Sequence, residues 1–320
     1  MAENDPVFRI SGLAAMWSGA CALFCRLNIP MKTLGGKQFW SDVRWLDGWR
    51  IQRHCWTGRC RLLDDRDVRR VCGSMSLCDG ALQGLSCAKK LRRHAPHVVV
   101  LLHGIGRSTG TFANLVNPLK SAGYDVANLS YASTRRTIEQ HAGTISELVS
   151  SLTDYETISF VTHSMGGLVL RQILSCHAEW LRRLPVARII QIAPPNQGSV
   201  IARYMKANPL YGWIYGVAGQ QLTPGYVKNL PPLSEPFGII VGGTGDARGL
   251  NPWLGSDNDG TVLVSETSLP EARDVIQINA FHVSISNNPQ AVQAVLTFLR
   301  WGQFEPPTSP VLIKKDEPHA

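Results

Sequence analysis

The chain has 320 residues, 44% hydrophobic and 18% charged, which excludes a disordered, charge-rich polymer and suits one large α/β domain or two small ones. Its 29 Gly and 19 Pro follow no period, and no fixed repeat is visible, so collagen, solenoids and propellers are excluded too. The net charge of +8 lies wholly in the first third: residues 1–97 carry 16 Lys+Arg against 8 Asp+Glu, and residues 98–320 carry 16 against 16. Such a balance suits an anionic membrane or nucleic acid. The densest run, Lys89, Lys90, Arg92 and Arg93, reads as a solvated face. Without a zinc-finger or RNA-binding signature beside it, no nucleic-acid partner is expected.

In chain order, residues 10–27 form the most apolar stretch, 18 residues closed by Arg26 and Leu27. It is marginal for a membrane span. It is also a poor signal peptide, because Glu3 and Asp5 outnumber Arg9 ahead of it. A packed helix or one lying on a membrane surface fits at least as well, with peripheral contact through this apolar segment and the basic residues after it. The reading favours a cytoplasmic or membrane-associated protein over a secreted one. Seven of the eight cysteines, Cys21 to Cys87, share this first third without a C-x-x-C pair, and are expected to be reduced and packed.

Residues 1–45 are expected to be an N-terminal extension with an apolar helix, 46–303 one α/β domain, and 304–320 a disordered tail. The entry is Trp-rich (Trp40, Trp45, Trp49, Trp56), and a hairpin is expected where residues 49–52 and 60–63 flank Thr57-Gly58-Arg59. Beyond it, strands at 98–102, 125–131, 157–162, 188–193, 237–241 and 275–278 alternate with helical spacing at 138–152, 166–177 and 292–299. Ser108 is expected to cap another helix to about Ser121, ended by Gly123. This alternation predicts a mostly parallel sheet with helices on both faces. Residues 200–236, rich in Pro, Tyr and Trp, break the rhythm as a lid-like insertion that could face an apolar substrate.

The sharpest signal is Thr162-His163-Ser164-Met165-Gly166-Gly167, between a buried strand and a helix. A serine on such a turn projects its hydroxyl off the sheet, above a helix N-terminus that favours negative charge. Gly166 holds the small-residue position after the serine; Thr162 stands where the G-x-S-x-G pattern has Gly. His103-Gly104-Ile105 follows the first buried strand, and the Ile105 and Met165 N–H groups occupy the positions of oxyanion donors. A dinucleotide fingerprint in the same loop is disfavoured, because its spacing is G-x-G-x-x-x-G and Asp125 begins the next strand. A serine nucleophile needs an imidazole base and an orienting acid. His282, after the last strand, fits the base; His163 adjoins the serine but is read as pointing elsewhere. Of three candidate acids, Asp259 is preferred and Asp246 is its main competitor; Asp257 could instead be a turn residue or a calcium ligand, though one acidic cluster does not make a calcium loop.

Residues 98–300 resemble the α/β-hydrolase superfamily, in its lipase-like and GPI-inositol-deacylase-like esterase branches. The resemblance is carried by VVVLLHGIGRS at 98–108, VTHSMGG at 161–167, APPNQGS at 193–199, SDNDGTV at 256–262 and NAFHVSI at 279–285. It implies an α/β-hydrolase fold, with Ser164 as nucleophile, His282 as base, Asp259 as acid, and Ile105 and Met165 as oxyanion donors. It implies a small-molecule or lipid ester as substrate and no cofactor or metal. An acyltransferase or thioesterase using the same serine, or a binding protein retaining the fold, are the alternatives.

Overall fold

The computed structural model describes residues 28–306, apart from 34, 36, 90, 177 and 178. The apolar stretch at 10–27 and the tail beyond 306 lie outside the described residues, as do Cys21, Cys25 and Lys90. Among the described residues no helix is long and apolar enough to cross a membrane.

Two sheets form. The first is antiparallel, in the order β1-β5-β4-β3-β2: β1 (Met31–Lys32), β2 (Trp40–Leu46), β3 (Trp49–His54), β4 (Cys60–Leu63) and β5 (Val68–Gly73). The expected hairpin is the β3–β4 pair, turning at Gly58 with φ +67°. The rest was not anticipated, and β2 runs across the expected boundary at 45/46. The reason lies in its charges: Arg50, Arg61 and Arg69 are buried. The Arg61 guanidinium donates to Gln52 Oε1 at 3.0 and 2.8 Å and lies 4.0 Å over the Trp40 ring. Arg50 pairs with Asp67 and lies 3.8 Å from Asp42. Helix α1 (Met75–Lys89) closes this layer by packing Cys78 and Leu82 on Val43, Trp49, Ile51 and Leu62. Cys55, Cys60 and Cys78 are buried free thiols, and Cys72 is buried; Cys87 and Cys176 are exposed.

The second sheet has six strands: β6 (His97–Leu102), β7 (Asp125–Leu129), β8 (Thr157–His163), β9 (Val186–Ile192), β10 (Phe237–Gly242) and β11 (Asp274–Ile278). Their order is β11-β10-β9-β8-β6-β7, and every pairing is parallel. Strand β6 shows why its apolar run is unbroken: Val98, Val100 and Leu102 enter one core, Val99 and Leu101 the other. Helices α2 (Ala113–Ser121) and α8 (Pro289–Trp301) cover one face; α3 (Ile138–Ser150) and α4 (Met165–Ser175) cover the other. Ser108 makes no side-chain cap; a 3-10 turn, Thr109–Phe112, precedes α2. The insertion folds as α5 (Val200–Met205), α6 (Pro209–Gln220) and α7 (Pro224–Val227), with α6 broken at Gly216 (φ 60°, ψ −154°). The disorder expected from residue 304 is corrected at its start. Phe304 is buried with its ring 4.9 Å from that of Phe298, and its N–H donates to Asp274 at 2.7 Å.

The two sheets meet at Asp42. Its backbone N–H donates to Ser130 O at 2.8 Å, while its carboxylate accepts from Ser130 N–H at 2.7 Å and Gln52 Nε2 at 2.7 Å. Removing this carboxylate strands the buried Ser130 N–H and takes one of two carboxylate neighbours from Arg50, which keeps Asp67. Asp42→Ala is therefore expected to lower the unfolding free energy by about 1.5–3 kcal/mol. Urea denaturation measures it, and a loss under about 1 kcal/mol, within the range of an exposed pair, would refute the account.

Candidate active site

Six parallel strands point their C-terminal ends the same way, and the loops that follow them meet there. Ser164 leaves β8 in a positive-φ conformation (φ 53°, ψ −127°), uncommon for a residue with a Cβ. Its N–H donates to Ile192 O at 2.9 Å, and its C=O accepts from Gly167 N–H at 2.9 Å. The turn leaves no space around it. A Cβ at Gly166 would sit 2.3 Å from Leu102 O, and one at Gly104 would sit 2.9 Å from Ser164 Cβ. Thr162 fits because it is fully buried in β8 with Oγ1 3.5 Å from Ile190 O of β9.

His282, in the loop after β11, has Nε2 3.0 Å from Ser164 Oγ and Nδ1 2.6 Å from Asp259 Oδ2. The His282 N–H also donates to Asp259 O at 2.8 Å, so backbone and side chain align the pair together. Asp259 Oδ1 accepts from Thr261 N–H at 3.0 Å and Val262 N–H at 2.7 Å. All three side chains are buried. The competing carboxylates lie elsewhere: Asp246 is exposed and caps the turn at Arg248 and Gly249, and Asp257 binds Thr244, Gly245 and Gln277. Ile105 lines the cavity at Ser164, and Met165 opens α4. Among the described residues neither backbone N–H has a hydrogen-bond acceptor.

The sequence reading missed three contributors. His163 does not point away: its Nε2 donates to His282 O at 2.9 Å, and its ring centroid lies 4.8 Å from that of His282. Burial, then the neighbouring His282, pushes its pKa well below the ordinary 6.5, so it is a neutral donor. Glu266 accepts from Val200 N–H and Leu263 N–H, tying the insertion to the Asp259 loop. Gln38, in the turn ahead of β2, donates through Nε2 to Arg107 O at 2.9 Å, reaching the loop of Ile105. Of these, His163 carried a signal, its adjacency to Ser164. Nothing local marked Gln38, whose partners are about 70 and 95 residues away in sequence.

Beside Ser164 opens a mainly apolar cavity of about 570 Å³, walled by Ile105, Met205, Tyr211, Ile214 and Leu222. An adjoining cleft of about 490 Å³ runs past His282 to Phe281 and Trp253.

Comparisons with known proteins bear on the fold alone. Among solved structures, the mature lipase BlEst2 of Bacillus licheniformis is 19% identical, with a TM-score of 0.52 over 63% of this chain and 90% of that one. The metagenomic carboxyl esterase MGS0156 is 18% identical, with a TM-score of 0.47 over 60% of this chain and 66% of that one. The first likeness, with the sheet described above, shows the α/β-hydrolase fold. A family described as a domain of unknown function (DUF7379) matches residues 80–231. No curated protein matches the chain.

Three buried histidines around the site set its acid tolerance. Burial lowers His163, His103 to about 4 and His141 to about 3, against an ordinary 6.5. Their folded pKa values lie below the unfolded value, so the unfolded chain takes up protons first. The stability they contribute is complete above about pH 6.5 and is lost as pH falls from there towards about 4. Each adds up to about 1.4 kcal/mol per pH unit. Denaturation at a series of pH values should show this slope, and His141→Gln should reduce it by one histidine's share. A flat profile across the window would refute it.

Proposed function

We propose that the chain is a serine hydrolase that cleaves carboxylic esters through an acyl-enzyme. The observation that carries this reading is the buried line Ser164 Oγ, His282, Asp259, at 3.0 and 2.6 Å, opening on an apolar cavity. Ser164 Oγ attacks the ester carbonyl while His282 Nε2 accepts its proton and then delivers it to the leaving alcohol. Water, activated by the same imidazole, releases the acid and restores the serine. Asp259 holds Nδ1–H, fixing the tautomer and stabilising the imidazolium. The Ile105 and Met165 N–H groups receive the oxyanion. The cavity takes an apolar acyl chain, and lipid esters are the favoured class, in keeping with the motif likeness to lipase-like and GPI-inositol-deacylase-like esterases.

Ser164→Ala is expected to lower kcat for a short-chain ester on the order of 10⁵–10⁶-fold, and Asp259→Asn about 10⁴-fold, with the fold intact by circular dichroism. A fluorophosphonate probe should label the native chain at Ser164 and leave Ser164→Ala unlabelled. Turnover undiminished in Ser164→Ala, or no labelling of the native chain, would overturn the reading.

A further inference from the structure

Exposed apolar side chains flank the Ser164 cavity and the cleft beside it. On α6, Leu210, Trp213 and Ile214 are exposed at i, i+3 and i+4, and Val217 follows the break at Gly216. On the His282 side, Phe281 is 54% exposed and Trp253 96%. Ile214 is both cavity wall and outer surface, so the exposed apolar row of α6 continues into the cavity. An apolar patch of this extent is not ordinary surface scatter.

Its charge identifies the occupant. Residues 180–234 contain no Asp or Glu, whereas the insertion carries Arg203, Lys206 and Lys228, all exposed. Two carboxylates from outside bond to it, Glu139 to Gln221 and Tyr226 and Glu266 to the Val200 and Leu263 N–H groups, and three cations against these two leave it positive. We propose that this patch docks on an anionic lipid surface, with Leu210, Trp213 and Trp253 entering the apolar region and Arg203 and Lys206 meeting acidic headgroups. The inference deepens the ester reading by bringing lipid to the cavity mouth, but its test does not depend on turnover.

Flotation of the full chain carrying Ser164→Ala, with phosphatidylcholine vesicles containing or lacking phosphatidylglycerol, measures docking without hydrolysis. Binding should favour the anionic vesicles. Leu210→Gln/Trp213→Gln should weaken it by about tenfold or more. Arg203→Gln/Lys206→Gln should weaken it about thirtyfold on anionic vesicles and little on neutral ones. In the Ser164 background, Leu210→Gln/Trp213→Gln should leave turnover of a soluble ester unchanged, showing that fold and site survive. Vesicle binding undiminished by Leu210→Gln/Trp213→Gln would overturn the proposal. So would equal binding to both vesicle types, or a dimer abolished by that variant without vesicle binding.

A separate set of bonds assigns a role to the turn ahead of β2. Gln38, itself at φ +65°, donates to Arg107 O and accepts from Ser133 Oγ at 3.2 Å and Thr134 Oγ1 at 2.9 Å. Ser133 Oγ in turn accepts the Gly106 N–H at 3.0 Å. Both bonds land on residues following Ile105. We infer that Gln38 is a positioning residue that aims the Ile105 N–H at the oxyanion, an inference that rests on the hydrolase reading. Gln38→Ala should lower kcat about ten- to a hundredfold with KM unchanged. It should weaken a trifluoromethyl ketone, whose adduct bears the oxyanion, by the same factor, while the product alcohol binds as before. A change in KM alone, or ketone affinity as in the native chain, would overturn it. Absence of fluorophosphonate labelling in the native chain would instead overturn the hydrolase reading beneath it.

Discussion

The tightest constraint in the molecule is the passage of the chain from β8 into α4. Ser164 stands at a φ that costs a residue with a Cβ about 1–3 kcal/mol, and it holds because the surroundings over-determine it. Strand β8 is hydrogen-bonded on both sides, to β6 and β9, up to the residues before the turn. Beyond it, Gly166 lies against Leu102 O so closely that a methyl group has no place. The strain is offset by the sheet, and the result is a hydroxyl projected at the C-terminal rim. Every other element of the site is arranged relative to that one oxygen.

The histidine loop is held from several directions. His282 is bonded to Asp259 by backbone and side chain, its carbonyl is held by His163, and Arg107 donates to Val283 O at 2.9 Å. A neutral His163 suits this position, since a second imidazolium beside His282 would oppose the positive charge that the proposed mechanism develops there. The same burial that keeps His163 neutral makes the folded state sensitive to acid. Mechanism and acid lability then have a common origin in desolvated imidazoles.

The parallel sheet was legible because its signal is local. Runs such as residues 98–102 and 237–241 are apolar on both faces, and the loops after residues 102 and 162 carry the glycines and the serine that the turn demands. Ser164 was marked by its strand–turn–helix context and His282 by its place after the last strand, while chain order left Asp259 in competition with Asp246; the geometry pairs His282 with Asp259. The first sheet was illegible for the opposite reason. Its strands read Trp-Ser-Asp-Val-Arg-Trp-Leu and Val-Arg-Arg-Val-Cys-Gly, and polar residues at inward positions hide a buried face. Only partners distant in sequence, Asp42 with Arg50 or Gln52 with Arg61, reveal that those charges are satisfied. Helix α1 was hidden by Gly80 and Gly84, which depress helical propensity and are outweighed by packing of Cys78 and Leu82.

A sheet built around buried arginines needs another justification than stability, since ion pairs of this kind often add little to it. Its value here is register. Strand β2 and the residues just before it present Gln38, Ser41 and Asp42 in succession to residues 130–134: Asp42 bonds Ser130, Ser41 Oγ accepts from Ala132 N–H at 3.2 Å, and Gln38 receives Ser133 and Thr134. Shifting β2 by one residue would reverse which side chains face that loop, and the buried Asp42 and Arg50 would lose their partners together. The loop so fixed also receives the insertion, because Gly216 meets Thr134 O where a Cβ would lie 1.7 Å away. One short segment therefore sets both the loop of Ile105 and the helix that walls the cavity. The charges that make the first sheet hard to read in sequence are the ones that define where that segment stands.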